Sequence, residues 1–238
     1  MSTTSQFDME HYRLINERRR EFLDSLFGGV LAGRQYARTA DLGCGYGFFS
    51  DFLAQRGNSV DAYDGRPENV SEAARRYPSI PFRVWNIEDK AGRPIQPYDL
   101  VLCFGLLYHL ENPFLAVRNL ATVTKETAII ETVVAEHPMP AAVLYDEPAR
   151  GEAQALHFLA LIPTESALIK MLAAAGFPFI YRPSPLPNHP DFIPGAPKRR
   201  TVLIATRIML THSSLTRLVD VPNPVVSLLD HQTQKFQE

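Results

Sequence analysis

Cysteine is scarce in this chain of 238 residues: only Cys44 and Cys103 are present. Two cysteines cannot form the disulfide framework of a small secreted domain. They also do not combine with histidines at zinc-ligand spacing, so the sequence predicts no metal site. We expect two buried thiols that serve packing in a reducing compartment.

Long apolar runs are also missing, since no stretch approaches the ~20 residues that a membrane-spanning helix needs. The first residues, "MSTTSQFDMEHYRLINERRREF", are polar and charged and have no apolar centre of the kind found in signal peptides. These two observations predict a cytoplasmic protein without a membrane partner.

Neither sign of charge dominates, because 24 basic residues face 26 acidic ones and the net charge is −2. General nucleic-acid binders usually carry a basic excess, so nucleic acid is not an expected partner. Short basic runs do occur at residues 18–20, 75–76 and 198–200. We interpret them mainly as solvated faces. The hydrophobic content of 45% is typical of a globular protein.

The length suits one sizeable domain, and strand-like segments alternate with helix-like segments along most of it. This alternation predicts an α/β domain with a mainly parallel sheet. The predicted domain spans residues 1–210 and includes an N-terminal helix within residues 1–33. Residues 135–160 are harder to place and are interpreted as a lid, whereas residues 211–238 show weak pattern and are interpreted as a tail.

The N-terminal helix is predicted from its periodicity. Leu14, Phe22, Leu26 and Val30 fall near one face, and the opposite face holds charged residues, namely Arg18, Arg19 and Glu21. A helix with such a pattern packs its apolar face on the domain and exposes the other.

Three glycines follow the first strand in "DLGCGYGFF", at positions 43, 45 and 47. Glycines here permit a tight turn and let a ligand approach the main chain closely. The helix that follows offers free N–H groups to a negatively charged group. The spacing differs from the dinucleotide fingerprint G-x-G-x-x-G, and a purely structural turn is the alternative interpretation.

A second acidic signal comes from "DAYDG", in which Asp64 ends the second strand. A carboxylate there can accept hydrogen bonds from both hydroxyls of a ribose. Asp61 falls earlier in the strand, and a turn-forming role of Asp64 before Gly65 is the alternative. The third and fourth strands end in "WNIED" and "CFGLLYHLENP", so four groups converge on one crevice of the predicted sheet.

In this order, "DLGCGYG", "DAYDG", "NIED" and "YDLVLCFGLLYHLENP" resemble the class I S-adenosylmethionine-dependent methyltransferases, over about residues 37–133. The resemblance implies a Rossmann-like, seven-stranded, mainly parallel sheet with helices on both faces and an antiparallel last strand. It also implies S-adenosylmethionine as the cofactor, bound over the first two strands.

The resemblance places the methionine part of the cofactor on the glycine loop, the ribose at the end of the second strand and the adenine after the third. Many members have Asp where this chain has Asn86, which still accepts from an adenine amino group. The implied cofactor-binding residues are Asp41, Gly43, Gly45, Gly47, Asp64, Arg66, Asn86, Ile87, Glu88 and Phe104.

Three residues are candidates for catalysis. His109 follows the fourth strand on the substrate side, and its ordinary pKa of ~6.5 suits a general base; the alternative is a packing role. Tyr108 could orient the acceptor. Glu131 ends the fifth strand and could pair with His109, an arginine or a cationic substrate.

The substrate walls are expected from the lid and from the proline-rich loop "PSPLPNHPDFIPGAPK". Both segments begin at carboxyl ends of strands, where ligands of parallel sheets bind. The candidates are Tyr145, His157 and His189, together with Phe192.

The leading interpretation is a methyltransferase that acts on an oxygen or nitrogen atom of a small molecule. The "GLLYHL" segment also resembles the tRNA wobble-uridine carboxymethyl transferases of the same superfamily. A catalytically inactive S-adenosylmethionine-binding module and an NAD-dependent dehydrogenase are further alternatives. A homodimer formed through the tail is compatible with the sequence.

Overall fold

The structure is a computed structural model that describes residues 5–147, 151–154 and 156–218. The described strands are β1 (Arg38–Leu42), β2 (Ser59–Asp64), β3 (Phe82–Val84), β4 (Tyr98–Phe104), β5 (Thr124–Val133), β6 (Ala142–Asp146), β7 (Leu159–Pro163), β8 (Phe179–Pro183), β9 (Arg200–Thr206) and β10 (Leu215–Arg217). The described α-helices are α1 (Glu10–Gly28), α2 (Phe48–Gln55), α3 (Pro67–Arg76), α4 (Pro113–Val123) and α5 (Glu165–Ala174).

Eight strands form the main sheet, in the order β3-β2-β1-β4-β5-β9-β8-β10. The first five in this order are parallel to one another, and β9 runs antiparallel to both of its neighbours, β5 and β8. The predicted Rossmann-like α/β fold is confirmed. Because β1, β2, β4 and β5 are parallel, their carboxyl ends meet at one edge of the sheet.

An eighth strand extends the predicted seven. The short strand β10 pairs antiparallel with β8, so that Leu215 lies opposite Pro183. Part of the segment interpreted as a tail therefore belongs to the sheet, and a domain boundary at residue 210 is wrong. Three residues are too few to show strand periodicity in a sequence. The rest of that segment, residues 219–238, lies outside the described residues.

The helix caps follow the sequence. The Asn112 side chain accepts a hydrogen bond from the Leu115 N–H at the start of α4, where Pro113 occupies the first turn. At the start of α5, the Thr164 side chain accepts from the Ala167 N–H. Both caps satisfy N–H groups that have no partner within the helix.

Helix α1 forms as expected, but Leu14 and Arg19 each lie on the face opposite to the one predicted from the sequence. Leu14 is 45% exposed, whereas Arg19 is buried. Leu14 is one residue, or about 100°, away from the face that packs on the sheet. The buried positions are spaced by three, four and one residues, as a helix stripe requires: Ile15, Arg19, Phe22, Leu23 and Leu26.

Strands β6 and β7 form a separate antiparallel ribbon that begins in the predicted lid segment and extends three residues beyond its end. The ribbon is joined to the turn after β4, because the Leu161 N–H donates to the Leu110 carbonyl at 2.8 Å. It thus stands beside the carboxyl edge of the sheet. All residues of β6 are exposed.

The core lies on both faces of the main sheet, because successive side chains of a strand point to opposite faces. Val101 and Cys103 pack with α4 and α5 on one face, and Leu100 and Leu102 pack with α1 and α2 on the other. Burial of one such large apolar side chain stabilises the fold by ~1.5–3 kcal/mol. This packing holds the strand ends in fixed positions around the crevice.

Candidate active site

The glycine loop is held against the end of β2. The N–H groups of Gly43 and Cys44 both donate to the Tyr63 carbonyl, at 2.8 and 2.9 Å. Gly43, Gly45 and Gly47 have φ values of 74°, 52° and 86°, in the left-handed region that favours glycine. The loop therefore needs these residues for its backbone conformation.

Space around the loop is equally restrictive. A Cβ atom on Gly43 would lie 2.9 Å from the Leu106 side chain, and one on Gly45 would lie 2.9 Å from the Phe7 ring. Any side chain at these positions would move its neighbour. The loop therefore packs closely against Leu106 and Phe7 with bare backbone at both positions.

Asp64 is at the centre of a hydrogen-bond network at the end of β2. Its carboxylate accepts from the Gly45 N–H at 3.0 Å, the Arg66 N–H at 2.9 Å and the Asn69 side-chain amide at 3.1 Å. Burial raises the pKa of Asp64, and the two backbone donors oppose that rise. Asn69 was not predicted; its position in the first turn of α3, which follows Asp64, was the available signal.

Asp41 lies beneath the loop and is 1% exposed. The Ser50 hydroxyl donates to its carboxylate at 2.7 Å. Burial raises the pKa of Asp41 to about 7, and this hydrogen bond only partly opposes the rise. Asp41 thus supports the loop from below.

A cavity of about 270 Å³ opens at the carboxyl edge of the sheet. The predicted residues that line it come from β1, β2, the segment after β3 and the segment after β4. They are Gly43, Gly45, Asp64, Arg66, Asn86, Ile87, Phe104, Tyr108 and His109. Among the described residues, the predicted Asp41, Gly47, Glu88 and Glu131 do not reach its wall.

Glu88 has a structural partner instead of a place in the cavity. Its carboxylate accepts a hydrogen bond from the Asn112 N–H, just before α4. Its own N–H donates to the Asn86 side-chain oxygen at 3.1 Å. The turn after β3 therefore directs Asn86 and Ile87 to the cavity and turns Glu88 away from it.

His109 is paired with a carboxylate that the sequence did not reveal. Its Nδ1 lies 2.6 Å from Oε1 of Glu147, which is 5% exposed. The Glu147 N–H donates to the Phe158 carbonyl, so the ribbon positions this residue. The rings of Tyr108 and His109 pack at a centroid distance of 3.9 Å. Glu147 was missed because its segment has no readable periodicity.

Glu131 does not contact His109 in any of the described interactions. Its Oε2 lies 2.8 Å from Arg19 Nη2, and its Oε1 accepts from Arg200 Nη1 at 3.0 Å. Burial alone would raise the pKa of Glu131, but the two guanidinium charges outweigh burial and lower it. Of the pairings that the sequence allowed, the one with an arginine is present. The interpretation of residues 18–20 and 198–200 as mainly solvated faces is therefore wrong for Arg19 and Arg200.

The four residues that were predicted to form the substrate wall lie outside the cavity. Tyr145 is exposed on the ribbon, and His157 is exposed near it. His189 accepts from the Asp191 N–H at 3.2 Å and caps a short 3₁₀ turn, in which Phe192 is buried. Within the described part of the chain, none of these four lines the cavity. The predicted lid segment reaches the cavity through other residues, namely Glu152, Ala153, Gln154 and Leu156. Helix α1 adds Tyr12, Asn16 and Arg19 to the wall.

The two thiols, Cys44 and Cys103, are buried and free. Burial raises the pKa of both, so neither forms a thiolate readily. In the described ranges, no cluster of three potential metal-ligating side chains is found. A search of the same ranges finds no helix with the length and apolar character needed to span a bilayer.

Taken together, a glycine loop after β1, a half-buried acid at the end of β2 and a cavity at the carboxyl edge define a nucleotide-type crevice of a Rossmann-like sheet. Residues 40–130 match the family model described as "Methyltransferase domain". This part of the chain is thus similar to a methyltransferase domain, in agreement with the class I S-adenosylmethionine-dependent methyltransferases that the sequence resembles.

Curated relatives match a similar share of the chain. A ubiquinone biosynthesis O-methyltransferase of Xanthomonas campestris pv. campestris is 34% identical over 94 residues, which are 37% of this chain and 39% of that protein. One from Xanthomonas oryzae pv. oryzae is 33% identical over 93 residues, with the same shares. The match thus spans about two fifths of the length of these relatives.

Solved structures share the fold over most of the chain. The N-terminal domain of EvdMO1 with SAH bound has a TM-score of 0.64 at 19% identity, covering 83% of this chain and 84% of that one. CalS10 of Micromonospora echinaspora, an amino pentose methyltransferase with SAM bound, has a TM-score of 0.58 at 17% identity, covering 87% and 100%. Magnesium protoporphyrin IX methyltransferase of Synechocystis PCC 6803 has a TM-score of 0.56 at 18% identity, covering 84% and 88%.

Proposed function

We propose that this protein binds S-adenosylmethionine and transfers its methyl group to a hydroxyl group of a small molecule. One observation carries the proposal: a single cavity joins Asp64 and the glycine loop to His109, whose ring is held by Glu147. The proteins named above include a ubiquinone biosynthesis O-methyltransferase, an amino pentose methyltransferase and a magnesium protoporphyrin IX methyltransferase. Their diversity supports a small acceptor without identifying it.

The cavity fits the cofactor on the evidence of its backbone. Gly43 and Gly45 present bare backbone at the cavity wall, where a Cβ atom would collide with Leu106 or Phe7, and Asp64 provides a half-buried carboxylate for ribose hydroxyls. Asn86 and Ile87 would meet the adenine. When bound, the cofactor supplies an electrophilic methyl group on a sulfonium. Placement of the acceptor, worth up to ~7–11 kcal/mol in well-oriented systems, is then the main contribution of the protein.

A hydroxyl acceptor must lose a proton, and the His109–Glu147 pair provides for that. A Glu147 carboxylate beside Nδ1 favours the tautomer with the proton on that nitrogen. The other ring nitrogen, Nε2, is then free to accept the hydroxyl proton. Positioned bases of this kind typically contribute ~10²–10⁴-fold. An amine acceptor would gain less from the pair, and for this reason we favour oxygen over nitrogen.

The test is calorimetric titration with S-adenosylhomocysteine and, separately, with NAD. We expect the first to bind and NAD not to compete. Asp64→Asn should weaken S-adenosylhomocysteine binding by ~10–100-fold, since hydrogen bonds to charged groups are worth ~1.5–3 kcal/mol. The control is Asp61→Asn on the same strand, because Asp61 accepts from the Tyr98 hydroxyl and does not line the cavity.

Absence of S-adenosylhomocysteine binding to the wild-type protein would refute the proposal. Binding of the nucleoside without turnover of any small hydroxylated acceptor would favour the inactive binding module. An equal loss of affinity in Asp61→Asn and Asp64→Asn would show that the effect is not specific to the crevice.

A further inference from the structure

Two arginine side chains reach the cavity from opposite parts of the chain. Arg19 comes from α1 and Arg200 from the start of β9, and both line the wall beside Tyr108. Their side chains are only 7% and 9% exposed. Buried guanidinium groups are rare in proteins unless an anion accompanies them.

The anion that accompanies the two arginines is the Glu131 carboxylate, which lies behind the cavity wall. Glu131 is fully buried and contacts both arginines, but within the described residues it does not line the cavity. Asp191 lies 3.4 Å from Arg200 Nε and is 29% exposed, so water shares its charge. Two guanidinium cations are therefore paired with a single carboxylate that has no contact with solvent. In addition, Arg19 Nε is buried without a hydrogen-bond partner, although Nη1 donates to Asn16.

We infer that Arg19 and Arg200 bind a carboxylate of the methyl acceptor, which makes the acceptor a small hydroxy acid. This inference rests on the proposed function. A carboxylate matches the planar fork of a guanidinium, and a single negative charge balances a surplus of about one cation. A phosphate dianion would exceed that surplus.

The distance between the two ends of the acceptor is set by Tyr108. Arg200 Cζ stands 5.0 Å from the centroid of this ring, and His109 packs on it at 3.9 Å. The Tyr108 hydroxyl accepts from Arg200 Nη2 at 3.2 Å, which orients the guanidinium. The anion subsite and the base are thus one aromatic ring apart. A molecule of that length presents its carboxylate to the arginines and its hydroxyl to His109.

The experiment uses the full chain saturated with S-adenosylhomocysteine and measures binding of benzoate and salicylate against their neutral amides. Each acid should bind about tenfold or more tightly than its amide, as expected for a charged hydrogen-bond partner. Arg19→Met and Arg200→Met should remove that difference. Arg18→Met is the matched control, because Arg18 pairs with Glu21 at the surface outside this cavity.

A variant that removes a negative charge, where the arginine variants remove a positive one, distinguishes a role in binding from a merely structural role. Glu131→Gln removes the internal anion, so the acids should bind several-fold more tightly while the amides do not change. Retained S-adenosylhomocysteine affinity and a cooperative melting transition verify that each variant is folded. If Glu131→Gln fails to fold, Arg200→Lys replaces it; it should keep part of the preference for acids.

Several outcomes would overturn the inference. One is equal binding of acids and amides to the wild type, and another is an effect of Arg18→Met equal to that of Arg19→Met. A third is that the arginine variants lose S-adenosylhomocysteine but keep methylthioadenosine, which has no carboxylate; the arginines then hold the amino-acid part of the cofactor. Failure of S-adenosylhomocysteine to bind the wild type would instead refute the proposed function.

Discussion

Two carboxylates near the carboxyl ends of β1 and β5, Asp41 and Glu131, are equally buried and have opposite pKa shifts. The difference lies in their partners. Asp41 has a neutral hydroxyl beside it, from Ser50, and burial dominates. Glu131 has two guanidinium groups beside it, and their charges outweigh burial. The carboxyl group of Asp41 therefore titrates near pH 7, whereas that of Glu131 remains ionised.

The raised pKa of Asp41 predicts a pH-dependent stability. The folded state favours the neutral acid, so this group stabilises the fold fully below its unfolded value of 3.8, and the contribution is lost as the pH rises through about 7. Asp41→Asn removes this dependence. The free energy of unfolding of this variant relative to wild type should therefore rise between about pH 4 and about pH 7, by on the order of 4 kcal/mol at most, and its relative melting temperature should rise with it.

Thermal melts of both proteins at several pH values measure this difference. Asp51→Asn, at an exposed carboxylate on α2, is the control and should run parallel to wild type. A constant difference between Asp41→Asn and wild type would contradict the prediction.

The His109–Glu147 pair predicts a loss of turnover without a loss of cofactor affinity. His109→Ala should lower kcat at least tenfold, since the base is removed. Glu147→Gln should lower kcat by less and leave KM nearly unchanged, because it keeps the shape of the side chain but loses the charge. Release of S-adenosylhomocysteine with a hydroxylated acceptor measures both constants.

His212→Ala is the control for this prediction, since His212 is exposed and bonds only to Ser214 among the described contacts. Unaltered kcat in His109→Ala at saturating acceptor would exclude His109 as the base.

At the scale of elements, α1 has a role beyond covering the sheet. Its buried stripe packs on one face of the core and carries Arg19 to the cavity. The ribbon of β6 and β7 acts in a similar way, because it ends next to Glu147 and brings that carboxylate to His109. Both elements lie outside the central run of β1–β4. We propose that these two elements adapt the site to its acceptor.

Strand β10 predicts different stabilities for two truncated chains. A chain ending at residue 210 lacks this strand, whereas a chain ending at residue 218 keeps it. The shorter chain loses the pairing with β8, the Ser184 N–H bond to the Ser214 carbonyl and the Leu218 N–H bond to the Ile180 carbonyl. At ~0.5–1.5 kcal/mol per bond, its melting temperature should fall by roughly 5–10 °C.

Differential scanning calorimetry of the two truncated chains checks this expectation. The shorter chain should also aggregate more readily, because the edge of β8 becomes free. Equal melting temperatures would show that β10 adds nothing to the sheet.

At the scale of the whole molecule, the nearly even charge balance distinguishes the two enzyme interpretations. A protein with 24 basic and 26 acidic residues offers no general basic surface for tRNA. We expect no binding of bulk tRNA at moderate salt, measured by fluorescence anisotropy between about 50 and 200 mM salt. Tight binding that weakens steeply with salt would revive the tRNA-modifying alternative.

Local patterns in the sequence were sufficient for the fold and for the cofactor side of the site. The glycine loop, Asp64 and the helix caps each depend on chemistry within a few residues, such as a turn conformation or a free N–H group. Alternation of strands and helices then requires their carboxyl ends to share one edge. These features could therefore be predicted without coordinates.

Only the tertiary structure decided which charged groups meet. Arg19, Glu131 and Arg200 are far apart in the chain, as are His109 and Glu147, and no short pattern encodes their contact. In a sequence, a run of arginines has the pattern of a solvated surface. Helical periodicity does not show that the buried face of a helix includes a cation. Packing of α1 and the ribbon against the sheet brings these groups together, because burial of a charge is tolerated only where a counter-charge from another element is within reach.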